Sequence, residues 1–207
     1  MSQHFDQHAA TWDDDPTKVQ RARSVAQAIC AKIPVHRSMP ALEYGCGTGL
    51  LSFELAPHVG PIAAADSSPG MLDVLRRKVA ARPDVDIRPS ALDLLRDGLP
   101  AERYGLICSL MTLHHIDDTA GILRTFHELL ETTGYLCIAD LDAEDGSFHS
   151  YGFDGHRGFD RVVLGDLCRA AGFAEVDFST VFEIEKKTAD GVLRSYPVFL
   201  MCAVKRA

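Results

Sequence analysis

The sequence is short of positive charge. Its 207 residues include 21 Lys and Arg against 29 Asp and Glu, which gives a formal net charge of -8 at pH 7. An acidic chain repels phosphate backbones, so this balance disfavours nucleic acid as a partner. The adjacent Arg76, Arg77 and Lys78 are typical of a solvated helix face, and the other basic residues are scattered.

Long apolar runs are missing as well. No stretch approaches the roughly 20 apolar residues of a membrane span, and residues 1–6 lack the features of a signal peptide. We therefore expect neither a membrane association nor export. The six cysteines contain no C-x-x-C pair, so neither zinc nor a disulfide framework is indicated. A reducing cytoplasm suits such isolated thiols, and we expect no metal.

Helix and strand patterns alternate from about residue 16 onward, without repeats or a low-complexity linker. This alternation predicts a parallel β-sheet with helices on both faces, an α/β three-layer sandwich. The length suits a single domain over residues 1–207. We divide it into a helical segment at 1–35, which covers the site as a lid, and a core at 40–207.

The predicted elements follow apolar periodicity and capping residues. Predicted helices begin at Pro16, span 50–56, follow Ser68, follow Asp117 or Asp118, and end at Gly172. Predicted strands span Ala41–Tyr44, 61–66, 85–87, Tyr104–Leu110, 134–141, 175–185 and 196–205. No helix separates the last two strands, and Asp190-Gly191 between them is a turn signal, so we expect an antiparallel pair.

The strongest local signal is a glycine-rich turn between a strand and a helix, with Gly45, Gly47 and Gly49. Glycines allow a sharp turn and a close approach of backbone amides to a ligand. The G-x-G-x-G spacing differs from the G-x-G-x-x-G of dinucleotide enzymes. Glu43 precedes the turn; a carboxylate suits an ammonium or sulfonium ligand but not a pyrophosphate. The alternative is a strand-end carboxylate satisfied by local amides.

Two further aspartates follow strands. Asp66 ends the second strand, where a carboxylate can accept both hydroxyls of a ribose. The alternative is a helix N-cap, a role that Ser68 already offers. Asp93 follows the third strand, where it can accept a hydrogen bond from an adenine amino group. Its alternative is an ordinary loop aspartate.

Together with the run Leu110-Met111-Thr112-Leu113-His114-His115-Ile116, these motifs resemble the class I S-adenosylmethionine-dependent methyltransferases of the small-molecule type. The motifs cover about residues 40 to 140. The resemblance implies a Rossmann-like, seven-stranded, mostly parallel sheet with an antiparallel last strand. It also implies S-adenosylmethionine as the cofactor and an unknown, small-molecule methyl acceptor.

The resemblance places Glu43 at the methionine end of the cofactor, Asp66 at the ribose and Asp93 at the adenine. The residues expected to bind the cofactor are Glu43, Gly45, Cys46, Gly47, Gly49, Asp66, Ser67, Met71, Leu92, Asp93 and Leu110. Gly105 and the segment 131–134 depart from patterns common among relatives, which puts the subfamily in doubt. A cofactor-binding partner subunit without activity, or a nicotinamide-dependent oxidoreductase, is the alternative.

Displacement of a methyl group from a sulfonium needs alignment more than proton transfer, so no catalytic residue is required. His114 and His115 are the candidates for a general base, with a pocket wall as the alternative. The expected substrate contacts are Trp12, His115, Asp140, His149 and Arg157. Asp140 begins an acidic run that fails the EF-hand pattern, so we interpret it as a pocket rim. The sequence leaves a homodimer open.

Overall fold

The computed structural model describes residues 2–149, 152–188 and 191–206, with side chains from residue 5 onward. Six α-helices occur in these ranges: α1 (Ser2–His8), α2 (Pro16–Lys32), α3 (Leu50–Leu55), α4 (Pro69–Ala80), α5 (Thr119–Leu129) and α6 (Arg161–Ala170). Short 3-10 helices span Ala9–Asp14 and Leu113–His115. None of the described helices is long and apolar enough to cross a membrane.

A single sheet runs through the molecule. Its strands are β1 (Ala41–Tyr44), β2 (Ile62–Asp66), β3 (Ile87–Ala91), β4 (Tyr104–Leu110), β5 (Leu130–Leu141), β6 (Phe173–Lys187) and β7 (Leu193–Lys205). Their spatial order is β3-β2-β1-β4-β5-β7-β6. The first five strands pair in parallel, whereas β7 is antiparallel to both β5 and β6. The predicted α/β class, seven strands and antiparallel last strand are confirmed.

The two faces of the sheet carry separate cores. One core packs α2, α3 and α4 against the sheet, and the other packs α5 and α6. These cores make the three layers that the alternating pattern predicts. The carboxyl ends of β1, β2 and β4 meet at one edge of the sheet, which is where α/β proteins bind ligands.

The caps agree with the sequence analysis. Asp15 caps α2 with Pro16 as its first residue, Ser68 caps α4, and Asp118 caps α5. Gly172 follows α6 with a φ of 102°, in the left-handed region where glycine is favoured. Of the expected hairpin turn, Gly191 has a φ of 83°, and Asp190 lies outside the described residues.

Several strand boundaries differ from the predicted ones. β6 and β7 begin earlier, at Phe173 and Leu193, and β6 ends later, at Lys187. β3 starts at Ile87, not at Val85, because Val85 closes a turn through its N–H to Arg82 O. β3 then continues through Pro89, which an edge strand tolerates. β5 begins earlier than 134, at Leu130, because an irregularity in its pairing with β4 interrupts the strand pattern.

Candidate active site

The glycine-rich turn joins the end of β1 to α3 at the ligand-binding edge of the sheet. The N–H groups of Gly45 and Cys46 both donate to Ala65 O, at 2.8 and 3.0 Å, which ties the turn to β2. Gly45, Gly47 and Gly49 all have positive φ angles. The turn therefore needs glycine for its backbone conformation, as its sequence predicts.

A cavity of about 630 Å³ opens over this turn. Every residue expected to bind the cofactor lines it, except Gly49. Gly49 is instead the N-cap residue of α3. A Cβ there would lie 2.5 Å from Leu75 Cδ1, so Gly49 packs against α4 and does not line the cavity. The expected contact of Gly49 with a ligand does not fit this position. The volume lies in the range of small-molecule sites.

Glu43 is 2% exposed and lines the cavity. Ser52 Oγ donates a hydrogen bond to Glu43 Oε2, so its local partner is a hydroxyl from α3. Burial raises the pKa of Glu43 to about 8, although the Ser52 hydrogen bonds oppose this shift. Burial thus favours the protonated form of the Glu43 carboxyl group, and a nearby cation would favour its ionised form.

Asp66 has both carboxylate oxygens engaged by the backbone. Oδ2 accepts from Gly47 N at 2.7 Å and Oδ1 from Ser68 N at 2.8 Å. Burial raises the pKa of Asp66, and these backbone donors oppose the shift. The N-cap of α4 belongs to Ser68, whose Oγ accepts from Met71 N at 3.2 Å. Each Asp66 oxygen keeps a lone pair with which it can accept a ribose hydroxyl.

Asp93 lies at the cavity rim beyond β3. Its carboxylate accepts from Leu95 N at 3.1 Å and lies 3.4 Å from Arg96 Nε. Its side chain is 32% exposed. This carboxylate organises its own loop and also faces the cavity, so the adenine role stays a prediction.

The N-terminal segment (residues 5–21) forms part of the cavity wall. The residues that it contributes to the cavity are Phe5, Trp12, Lys18 and Arg21. The rings of Phe5 and Trp12 meet edge-on, with centroids 5.8 Å apart, and Lys18 Nζ lies 3.8 Å from the Trp12 ring centre. Trp12 therefore lines the cavity, and its contact with a substrate stays a prediction.

Two aspartates connect this segment by hydrogen bonds to the elements around the glycine-rich turn. Asp6 accepts hydrogen bonds from Ser68 Oγ at 2.6 Å and Gly70 N at 2.8 Å. Asp13 accepts from Thr48 Oγ1 and from Lys78 Nζ, the latter at 2.6 Å. Both contacts reach elements that surround the glycine-rich turn, so the segment and the turn are one structural unit.

Arg21 was not singled out from the sequence, because it falls between the apolar positions Val19 and Ala22 of α2. Its Nε is buried and has no hydrogen-bond acceptor within the described ranges. Burial lowers the pKa of the guanidinium, and the charges of Asp15 and Asp140 oppose this shift. A buried donor of a charged group without an acceptor is costly, which makes the position suited to an anionic ligand.

The two candidate histidines occupy different environments. His115 lines the cavity, and its ring meets Phe5 edge-on with centroids 5.3 Å apart. His114 does not line the cavity; it is 2% exposed and its Nδ1 lies 2.6 Å from Asp140 Oδ1. The geometry therefore supports His115 as the wall residue and leaves His114 without access to a substrate.

Three other expected substrate contacts lie away from the cavity. Asp140 is fully buried under His114, so the predicted acidic rim is wrong at this residue. His149 stacks on Phe153 with centroids 3.6 Å apart, and burial lowers its pKa to about 4. Arg157 is exposed beside Gly146. The described part of the chain holds no group of three or more acidic, His or Cys residues suited to a metal ion.

Comparison with known proteins agrees with this site. Residues 19–177 match the model of a methyltransferase domain family. An uncharacterized methyltransferase of Schizosaccharomyces pombe is 33% identical over 119 residues, which cover 54% of this chain and 42% of the relative. A ubiquinone biosynthesis O-methyltransferase of Marinobacter nauticus is 28% identical over 110 residues, with 52% and 46% covered. The matches span less than half the length of both relatives.

Among solved structures, the N-methyltransferase NodS of Bradyrhizobium japonicum, in complex with S-adenosylhomocysteine, superposes with a TM-score of 0.73. The match covers 99% of this chain and 98% of that one, at 19% sequence identity. At this identity the likeness shows a common fold.

Proposed function

Because the chain belongs to the family of methyltransferase domains, which use S-adenosylmethionine, we propose that it methylates a small-molecule acceptor in the cavity described above. One observation carries the proposal. Residues of the glycine-rich turn, of the ends of β2, β3 and β4, and of the N-terminal segment line one cavity. The cytoplasm is the proposed location, in keeping with six free thiols.

The residues present fit S-adenosylmethionine in charge and shape. The cofactor supplies an electrophilic methyl group on a sulfonium. Asp66 would accept the ribose hydroxyls, Asp93 would accept from the adenine amino group, and Glu43 would accept hydrogen bonds from the ammonium group. Arg21 Nε, which has no acceptor in the described part of the chain, would donate to the methionyl carboxylate. The protein aligns the reactants and excludes water, which is sufficient for a good leaving group.

The Arg21 assignment predicts a loss that depends on the ligand. Arg21→Gln removes the charge and should weaken S-adenosylhomocysteine binding by about 1.5–3 kcal/mol, the usual scale of a hydrogen bond to a charged group. Binding of 5′-methylthioadenosine, which has no carboxylate, should change little. Calorimetric titration of wild type and Arg21→Gln with each ligand measures the two losses of affinity. An equal loss for the two ligands would place Arg21 elsewhere than at the carboxylate.

Glu43 predicts a pH dependence of cofactor binding. Burial raises its pKa to about 8, with Asp66 and Lys78 as further charges acting on it. A bound ammonium favours the ionised form, so binding releases a proton below about pH 8. The affinity for S-adenosylhomocysteine should therefore rise from about pH 6 to about pH 8, by at most about tenfold per unit, and then level off. In Glu43→Gln this dependence should disappear.

We propose that the N-terminal segment is a lid over the cofactor. This proposal is supported by the hydrogen bonds of Asp6 and Asp13 to the elements around the glycine-rich turn. Breaking the second contact with Asp13→Ala should raise the dissociation rate of S-adenosylhomocysteine. Trp12 is the sole tryptophan and lies in the cavity wall, so its fluorescence follows this rate directly. An unchanged rate in Asp13→Ala would mean that the segment is a fixed wall.

The acceptor is tested by following a labelled methyl group. The protein is incubated with [methyl-¹³C]S-adenosylmethionine and a cell extract that has been separated into small molecules, protein and nucleic acid. We expect label in the small-molecule fraction, in keeping with the volume of the cavity and the acidic chain. Label confined to protein or nucleic acid would contradict the proposal. Sedimentation of the purified protein determines whether a homodimer, which the sequence leaves open, forms.

A further inference from the structure

The carboxylate of Asp140 is fully buried at the end of β5, outside the cavity. Three donors satisfy it: His114 Nδ1 at 2.6 Å, His114 N at 3.2 Å and Leu141 N at 2.8 Å. Burial alone would raise the pKa of Asp140, but His114 and the backbone donors hold it below its ordinary value. A buried charge costs several kcal/mol unless it is paired in this way, so its retention calls for a reason.

The bonds to Asp140 fix one particular turn. His114 belongs to the 3-10 helix Leu113–His115, which leads from β4 to α5. The same turn is fixed from its other side, because His114 O accepts from His156 N at 2.8 Å. His156 Nε2 also lies 3.0 Å from Ile116 O. The turn is therefore held between β5 and the connection that precedes α6.

The opposite side of this turn faces the cavity. Met111, Thr112 and His115 all line it. Met111 has a φ of 54°, a left-handed conformation that costs a side-chain-bearing residue energy and persists only where its surroundings impose it. Its N–H donates to Ala139 O at 2.8 Å, next to Asp140 on β5. The hydrogen bonds of Asp140 and the hydrogen bond of Met111 therefore all join the end of β5 to the segment that follows β4.

We infer that Asp140 and His114 are a pair of positioning residues, which set Met111 and His115 against the methyl group to be transferred. The inference rests on the proposed function, since it needs the methyl group at this end of the cavity. Neither residue touches the substrate; both act through the Leu113–His115 turn. The expected consequence is a change in the surroundings of the methyl group without a loss of cofactor affinity, because Glu43 and Asp66 lie on other strands.

The test uses [methyl-¹³C]S-adenosylmethionine bound to the protein, whose methyl resonance reports its immediate environment. Asp140→Asn removes the charge and replaces one acceptor oxygen by an amino group that cannot accept from the donors around it, and His114→Phe removes the Nδ1 donor. His114→Asn restores a donor at nearly the place of Nδ1. Asp142→Asn is the matched control: it lies two residues away on the same connection and pairs with Arg161 at 2.7 Å, not with the turn.

We expect Asp140→Asn and His114→Phe to move or broaden the methyl resonance, with affinities for S-adenosylmethionine within about threefold of wild type. His114→Asn and Asp142→Asn should keep the wild-type resonance. Wild-type resonances in both Asp140→Asn and His114→Phe would overturn the inference, as would an equal change in Asp142→Asn. A wild-type protein that binds no S-adenosylmethionine would instead refute the proposed function on which the inference rests.

Discussion

Asp66→Ala is expected to weaken S-adenosylhomocysteine binding by about 1.5–3 kcal/mol, roughly 10- to 140-fold. The reason is the loss of the carboxylate at the end of β2 that is expected to accept the two ribose hydroxyls. The structure adds a second contribution, since the carboxylate also holds Gly47 N and Ser68 N. Removal of Asp66 should therefore loosen the glycine-rich turn as well as the ribose contact. Calorimetric titration measures the affinity.

The matched control for this change is Asp73→Ala. Asp73 is an exposed residue of α4 that pairs with Arg76 at 2.7 Å, away from the cavity. Exposed pairs of this kind contribute less than about 1 kcal/mol, so neither affinity nor stability should change much. A folded Asp66→Ala protein with the affinity of wild type would remove Asp66 from the site.

The second large effect is expected in stability, at Gly45. Its φ is 73°, and a Cβ there would lie 2.2 Å from both Thr112 Cγ2 and Thr112 Oγ1. Gly45→Ala should therefore combine the left-handed penalty of ~1–2 kcal/mol with overpacking of ~1–3 kcal/mol. The expected loss in the free energy of unfolding is ~2–5 kcal/mol. Urea denaturation measures it.

Gly47 provides the comparison within the same turn. Its φ is 52°, but a Cβ there would meet only Met71 Sδ, at 3.9 Å. Gly47→Ala should thus lose only the left-handed penalty, ~1–2 kcal/mol. Equal losses in the two variants would mean that the close approach of Thr112 to Gly45 does not constrain the fold.

Most strands of the sheet and the helix N-caps were predictable, because they depend on local sequence signals. Short, mostly apolar runs marked the bounds of β1 and β4, and Ser68 marked the start of α4. β3 was less predictable because it is an edge strand with exposed polar residues, and Pro89 obscures its pattern. α1 carries no apolar period, so the sequence predicted a helical segment over residues 1–35 without the bounds of this helix.

The cofactor side of the site was more predictable than the substrate side. Glu43 and Asp66 follow strands that converge at one edge of the sheet, so their positions follow from topology. Asp140 and His149 were expected at the substrate because their connection follows β5. Their burial depends on the packing of that connection against the Leu113–His115 turn, a tertiary feature without a local signal.

The crystal structure of the complex with S-adenosylhomocysteine tests the central claim most directly. The account predicts the ligand in the cavity between the glycine-rich turn and the N-terminal segment. The ribose hydroxyls should lie about 2.5–3.0 Å from the Asp66 carboxylate, and the methionyl carboxylate should accept from Arg21. A ligand bound outside this cavity, or a ribose out of reach of Asp66, would contradict it.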